Sequence, residues 1–250
     1  MIKYAYVTNA GLTRKLNEDS FCFQNTAYGG YNKKGSGTLL FNTFKAAVFD
    51  GVGGKDKGEV ASLYCANFFR KKFKAAFIKE RDDVYRFVQS AHDGLTEMQT
   101  RENSDMMTTF VGVAAQNNQL LFMNIGDSQA FYYRNGEMKR LSCDDTYLNE
   151  LKKLRGKITD EERAQYEHVI VNCFGLPSFR SEKTHCYFEP RQKNSYLYLL
   201  SDGISDLMDP KELQTITNEQ KDPKKIVDCI ETKIRERGAH DNYTLIVVHL

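Results

Sequence analysis

Two apolar runs far apart in the chain end in the same way. Phe44-Lys-Ala-Ala-Val-Phe49 runs into Asp50-Gly51, and Tyr196-Leu-Tyr-Leu-Leu-Ser201 runs into Asp202-Gly203. Asp127 closes a third run, Leu120-Leu-Phe-Met-Asn-Ile125-Gly126. Asp19 stands before Ser20-Phe-Cys-Phe23, and Asp241 precedes the closing run Tyr243–His249. A carboxylate at the edge of a buried strand is costly unless it is paired, hydrogen-bonded or bound to a metal. One such residue is usually a turn or a helix cap. Five of them, two followed by a glycine whose carbonyl can approach closely, suit a hard cation such as Mg2+ or Mn2+. The two Asp-Gly sites can cooperate only if the sheets bring their strand ends together.

The rest of the chain is consistent with such sheets. β-Branched and aromatic residues in partial alternation predict strands over 2–8, 19–24, 38–49, 109–115, 119–125, 129–133, 183–188, 195–201 and 243–249. The glycine-rich stretch Gly29–Gly37 reads as a hairpin connection. Apolar residues at helical spacing predict helices over 57–79 and 83–101. Three later helices have local start signals: a Thr159/Glu162 capping box, Asp209-Pro210 and Asp222-Pro223. Strands, two long helices, strands, short helices, a strand, two helices and a last strand do not alternate as a doubly wound parallel sheet would. The order predicts an α+β domain of antiparallel sheets covered by helix pairs. Residues 1–250 then form one domain closed by its own tail.

Composition removes several functions. The 250 residues carry 35 Lys+Arg against 33 Asp+Glu, a net charge of +2, so there is no polybasic footprint for nucleic acid or anionic membrane. No apolar run approaches the roughly 20 residues of a membrane span, and Met1-Ile-Lys-Tyr-Ala-Tyr6 lacks a secretory apolar core. A cytoplasmic protein is expected. Its six cysteines are scattered without a C-x-x-C pair, so reduced thiols are expected rather than a zinc ribbon. The histidines show no ligand spacing; His92, His168, His185 and His249 read as structural, and His240 as a loop or supporting residue beside Asp241. Gly51-Val-Gly-Gly-Lys55-Asp56 fails both the phosphate-loop and dinucleotide patterns, and no G-x-S-x-G elbow is present.

Taken together, the motifs resemble the metal-dependent protein serine/threonine phosphatases of the type 2C class, in their bacterial form. Arg14-Lys-Leu-Asn17-Glu18-Asp19 is similar to the family's R-x-x-N-E-D, and Asp50-Gly-Val-Gly-Gly54 to its D-G-x-G-G. Met107-Thr108-Thr109 resembles G-T-T with Met in place of Gly. Gly126-Asp127-Ser128-Gln129 resembles G-D-S-R with Gln in place of Arg. Ser201-Asp202-Gly203-Ile204-Ser205-Asp206 resembles S-D-G-[LIV]-x-D, and Asp241-Asn242 the closing D-N. The stretch from Gly156 to Gly175 is similar to the bacterial flap, placing a flap segment around 144–182.

The resemblance implies a four-layer α-β-β-α sandwich, two central antiparallel sheets flanked by helix pairs, with a metal cleft at one end. It implies that Asp50 bridges two Mn2+ or Mg2+ ions and that the Gly51 carbonyl ligates one. Glu18 and Asp19 would serve that second ion, and Asp202 and Asp241 would hold the first. Asp127 would match a third, weaker ion position, a backbone cap being its alternative; Asn242 would support the site. Arg14 would grip the substrate phosphate, as a guanidinium matches phosphate oxygens. Two such ions about 4 Å apart activate a bridging water for in-line attack at phosphorus, with no covalent intermediate. Substrates would be phosphoserine and phosphothreonine proteins modified by a serine/threonine kinase. The alternatives are a silent phosphoprotein-binding relative, which would lack one of Asp50, Asp202 or Asp241, and a small-molecule phosphoesterase. Val52 stands where eukaryotic members often carry a histidine general acid.

Overall fold

The alternation read from the sequence becomes two faces per strand in the computed structural model, which describes residues 1–52, 56–116 and 118–250. Gly53, Gly54 and Lys55 of the glycine-rich motif lie outside the described residues. In chain order the elements are β1 (Ile2–Asn9), β2 (Ser20–Phe23), β3 (Thr26–Gly29), β4 (Lys33–Leu39), β5 (Phe44–Phe49), α1 (Gly58–Lys72) and α2 (Arg81–Glu102). There follow β6 (Phe110–Gln116), β7 (Gln119–Ile125), β8 (Gln129–Arg134), β9 (Glu137–Arg140), α3 (Tyr147–Arg155) and α4 (Asp160–Tyr166). The chain ends with β10 (His185–Pro190), β11 (Tyr196–Leu200), α5 (Asp202–Ser205), α6 (Pro210–Gln220), α7 (Pro223–Glu236) and β12 (Tyr243–His249).

One antiparallel sheet runs β4-β1-β12-β11-β8-β9 and the other β10-β7-β6-β5-β2-β3. In β12, Ile246 and Val248 point into the core between the sheets, while Leu245 and Val247 pack under α6 and α7. In β5, Ala46 and Val48 face the inner core, and Ala47 and Phe49 face α1 and α2. Each strand of the pair is therefore apolar on both sides, and the layers stack as α-β-β-α, the expected α+β sandwich. The tail strand β12 lies between β1 and β11, inside its sheet rather than at an edge.

Local signals hold where they are self-contained. Thr159 and Glu162 form the capping box, and Asp209 and Asp222 cap helices that begin with proline. The glycine-rich stretch is not a hairpin connection: Lys33–Leu39 form edge strand β4, with Gly37 opposite Tyr4 and Gly35 opposite Tyr6. A Cβ on either glycine would lie 2.6 Å from a tyrosine hydroxyl, so each glycine makes room for a ring. The expected strand over 38–49 is accordingly split into β4 and β5. The first long helix stops at Lys72, followed by a single 3-10 turn at Ala75–Phe77. Cys22, Cys65, Cys143, Cys186 and Cys229 are free thiols, and burial pushes Cys22 and Cys186 up to about 12. Among the described residues no helix is long and apolar enough to cross a membrane.

Residues 144–182 leave the sandwich between β9 and β10. Their two legs meet at the base, where Tyr147 N–H donates to Val169 O at 2.7 Å and Val171 N–H to Asp145 O at 2.8 Å. The returning leg is then tied to the sandwich by reciprocal bonds between Thr108 and Phe174.

Candidate active site

Antiparallel pairing brings the end of β5 and the start of β2 to the same edge, since Phe49 lies opposite Ser20. Asp50 and Asp19 flank that pair. On the facing sheet, β11 pairs with β12, so Asp202 after β11 comes next to Asp241 before β12. The five acidic positions are thereby gathered at one end of the sandwich, with Asp202 as their common neighbour: its charge acts on Asp19, Asp50, Asp127 and Asp206.

Asp50 and Asp202 face each other within hydrogen-bonding reach, and burial holds both carboxyls above the usual range. The Asp50 backbone is fixed on both sides. Its N–H donates to Thr109 Oγ1 at 3.1 Å, and its carbonyl accepts from Thr108 Oγ1 and Thr109 N–H, both at 2.8 Å. Gly51 can only be glycine, because a Cβ there would lie 2.6 Å from the Gly58 carbonyl carbon and 2.8 Å from Glu18 O.

Asp19 is fully buried. Ser201 Oγ donates to its Oδ2 at 2.7 Å, while its Oδ1 is buried with no hydrogen-bond partner. Burial, with the charges of Asp202 and Asp241 adding to it, pushes this carboxyl up to about 7 despite its bonds to Ser201 and Thr244. Glu18 is half-buried beside Glu59, and burial likewise raises its carboxyl. Asn242 ties the segment before β2 to the tail: its Oδ1 accepts from Glu18 N–H at 2.7 Å, and its Nδ2 donates to Ala10 O and Leu16 O. Arg14 lies at the open side, its Nη2 2.6 Å from Asp241 Oδ2.

Asp127 sits in the turn between β7 and β8, 8% exposed. Asn124 makes no bond to it, binding instead the backbone of Cys143. Asp127, Asp202 and His168 each offer a ligand atom within 4.8 Å of the others. His168, read from the sequence as structural, thus stands with two carboxylates that could share a cation. It is an exposed side chain beyond α4, brought over the acidic cleft, where it also lies 3.9 Å from Asp206. The cleft, about 440 Å³, is lined there by Asp127, Gln129, Asp202, Asp206 and His168, with Arg140 bound to Asp144 at its far wall. Sequence reasoning missed His168, since no spacing links it to the aspartates, and gave Asp206 no role although it stands in a recognised motif. His240 is exposed, consistent with a loop position.

These residues fit divalent cations. Facing carboxyls at Asp50 and Asp202 need a proton or a cation between them, and the orphaned Asp19 Oδ1 needs a ligand. The donor set is oxygen throughout, with one imidazole at its edge, which suits Mg2+ or Mn2+.

Comparison with known proteins agrees with this geometry. The sequence model described as Protein phosphatase 2C matches residues 36–232. The chain is 30% identical over 254 residues to the serine/threonine protein phosphatase PstP of Mycobacterium tuberculosis, covering 99% of this chain and 45% of that protein. It therefore spans less than half the length of that relative. Its fold is that of the S. agalactiae serine/threonine phosphatase, with a TM-score of 0.81 at 21% identity over 100% of both chains. It is also that of the PstP catalytic domain in complex with two manganese ions, with a TM-score of 0.77 at 22% identity over 99% of this chain and 97% of that one. Fold, motif order and family match converge: the chain belongs to the protein phosphatase 2C family.

Proposed function

We propose that this chain is a metal-dependent phosphatase that hydrolyses phosphoserine and phosphothreonine in proteins, the substrates of a serine/threonine kinase. The observation that carries the reading is the facing, partly buried pair Asp50–Asp202 beside the orphaned Asp19 Oδ1. Asp50, Asp19, Glu18 and the Gly51 carbonyl would hold one ion, and Asp50, Asp202 and Asp241 the other. Asp127 and Asp202, joined by His168, would form a third and weaker position. The manganese-bound PstP domain supports Mn2+ as the metal. Bound there, divalent ions supply Lewis acidity toward phosphoryl oxygens and lower the pKa of water for attack at phosphorus.

The chain's own residues do the rest. Arg14 donates one N–H to Asp241, and its remaining donors would serve the substrate phosphate. Thr108 and Thr109 lock the Asp50 peptide, so that its carboxylate is aimed before substrate arrives. Residues 1–250 act as one phosphatase domain with a flap over 144–182. The free thiols of Cys22, Cys65, Cys143, Cys186 and Cys229 suit a reducing, cytoplasmic compartment.

Hydrolysis of phosphopeptides should appear with Mn2+ or Mg2+ and stop in EDTA. Asp50→Ala should lower kcat by at least about 10³-fold through loss of a shared ligand. Full turnover in chelator, or none with any metal, would overturn the proposal. Faster hydrolysis of phosphometabolites than of phosphopeptides would move the substrate to small molecules.

A further inference from the structure

Behind the Asp127 turn, side chains from the flap base grip the backbone that carries it. Gly126 N–H donates to Asp145 Oδ2 at 3.1 Å, and Asp145 N–H donates to Gly126 O at 3.0 Å. Two residues earlier the arrangement runs the other way. Asn124 Nδ2 donates to Cys143 O at 2.8 Å, and Asn124 Oδ1 accepts from Cys143 N–H at 3.1 Å. The end of β7 and the start of the flap are thus stitched together by two reciprocal clamps.

Gly126 has a φ of +91°, and a Cβ on it would lie 2.8 Å from the Thr109 side chain, so this peptide has little room to turn elsewhere. Asp145 is 5% exposed and uses both oxygens. Its Oδ1 lies 2.9 Å from His185 Nε2 on β10, and His185 stands opposite Asn124 in the β10–β7 register. The Asp145 carbonyl in turn accepts from Val171 N–H on the returning flap leg. One buried residue therefore joins the Asp127 turn and strand β10 through its carboxylate and the returning flap leg through its carbonyl.

We propose that Asp145 and His185 are positioning residues for Asp127. Asp145 fixes the Gly126 peptide, and with it the direction of the Asp127 carboxylate toward Asp202; His185 fixes Asp145. The proposal rests on the reading of Asp127 and Asp202 as a metal position. It assigns this pair a role in the loosest ion site and none in the tight pair.

The test compares wild type with Asp145→Ala, Asp145→Asn and His185→Ala, by backbone amide exchange and by equilibrium Mn2+ binding. In Asp145→Ala, exchange at Gly126 should quicken on the order of 10-fold while β6 and β5 keep their protection. The loosest class of Mn2+ should weaken roughly 10-fold with the tight ions unchanged. Asp145→Asn keeps an oxygen for Gly126 N–H and should recover most of both effects. His185→Ala should shift both in the same direction by less, and it carries the comparison if Asp145→Ala does not fold. Unchanged exchange at Gly126, or exchange rising equally across the sheet, overturns the proposal alone. Wild-type protein that shows no loose class of Mn2+ overturns the metal reading of Asp127, and the proposal with it.

Discussion

Arg14 lies at the open side of the acidic cluster with Asp241 as its partner, and both side chains remain close to half exposed. A solvated pair of this kind contributes little to stability. What Arg14 offers is a guanidinium held at the rim with donors to spare. Charge-assisted bonds to phosphate are worth about 1.5–3 kcal/mol, so Arg14→Ala should lower kcat/KM for a phosphopeptide by about 10- to 100-fold. Arg14→Lys should recover part of that loss, keeping the charge but not the fork. Half-saturating Mn2+ should be no higher in Arg14→Ala, since the change removes a cation beside a carboxylate. A weakened metal titration would show instead that Arg14 holds Asp241 in place. At this scale the sequence was informative wherever chemistry sat against an apolar run: Asp19, Asp50, Asp127, Asp202 and Asp241 are conspicuous because a strand edge is a poor place for a lone carboxylate. His168 lacks that contrast. It follows Tyr166-Glu167 in a polar segment, and only the return of the flap over the cleft sets it beside Asp127.

Among the elements, β5 and α1 share an anchor that no propensity shows. Lys45 on β5 sends its Nζ to the C-terminal carbonyls of α1, donating to Phe69 O at 3.1 Å, Arg70 O at 2.7 Å and Phe73 O at 2.9 Å. Phe69 O also accepts from Phe73 N–H at 3.1 Å, whereas Arg70 O is one of the carbonyls a helix end leaves without an intrahelical partner, at the negative end of its dipole. The ammonium also lies 5.5 Å from the Phe69 ring centroid, and burial lowers its pKa. Lys45→Met should destabilise the fold by about 2 kcal/mol and lower Tm by roughly 5 °C, with kcat unchanged. Thermal denaturation and a phosphatase assay on the same sample check both halves; an unshifted Tm would mean that water serves those carbonyls equally well. Helix starts at Thr159, Asp209 and Asp222 were legible because a cap is a matter of four residues. β3, β4 and β9 were not. They are short or polar, glycine-bearing in β4, and lie at or beside sheet edges, so their extended state comes from the strand next to them. The same is true of the Asp145–His185 link, which exists only because β10 pairs with β7.

For the molecule as a whole, gathering carboxylates at one end of the sandwich has a thermodynamic signature. Burial raises Asp50, Asp127 and Asp202 above their ordinary range, Asp19 to about 7 and Asp206 to about 6. With these pKa values raised, the folded chain without metal holds protons that the unfolded chain has released. Stability from that source is full below the unfolded value of 3.8 and is lost as pH rises through the folded values. His92 and His249 act in the opposite sense: burial lowers both, so their contribution grows as pH rises through 6.5 and levels off about a unit above it. The surface carboxylates lowered by cationic partners, Glu212 and Asp228 among them, titrate below their ordinary values and are spent well before that point. From pH 6.5 to 8 the fall comes chiefly from the cluster, opposed at the lower end by the two histidines and joined toward pH 8 by the Cys22, Cys65 and Cys186 thiols, which burial raises. In chelator, Tm should fall across this window. A divalent cation binds the deprotonated carboxylates, so its stabilisation grows with pH over the same window. With saturating Mn2+ the fall should vanish or reverse, and Asp19→Asn should flatten the slope in chelator by removing the group that titrates near 7. A metal-free Tm that is level or rising from pH 6.5 to 8 would mean that the cluster is not held protonated by burial. Cations between Asp50 and Asp202 would then have no energetic basis, since carboxylates already ionised and tolerated by the fold demand no ligand.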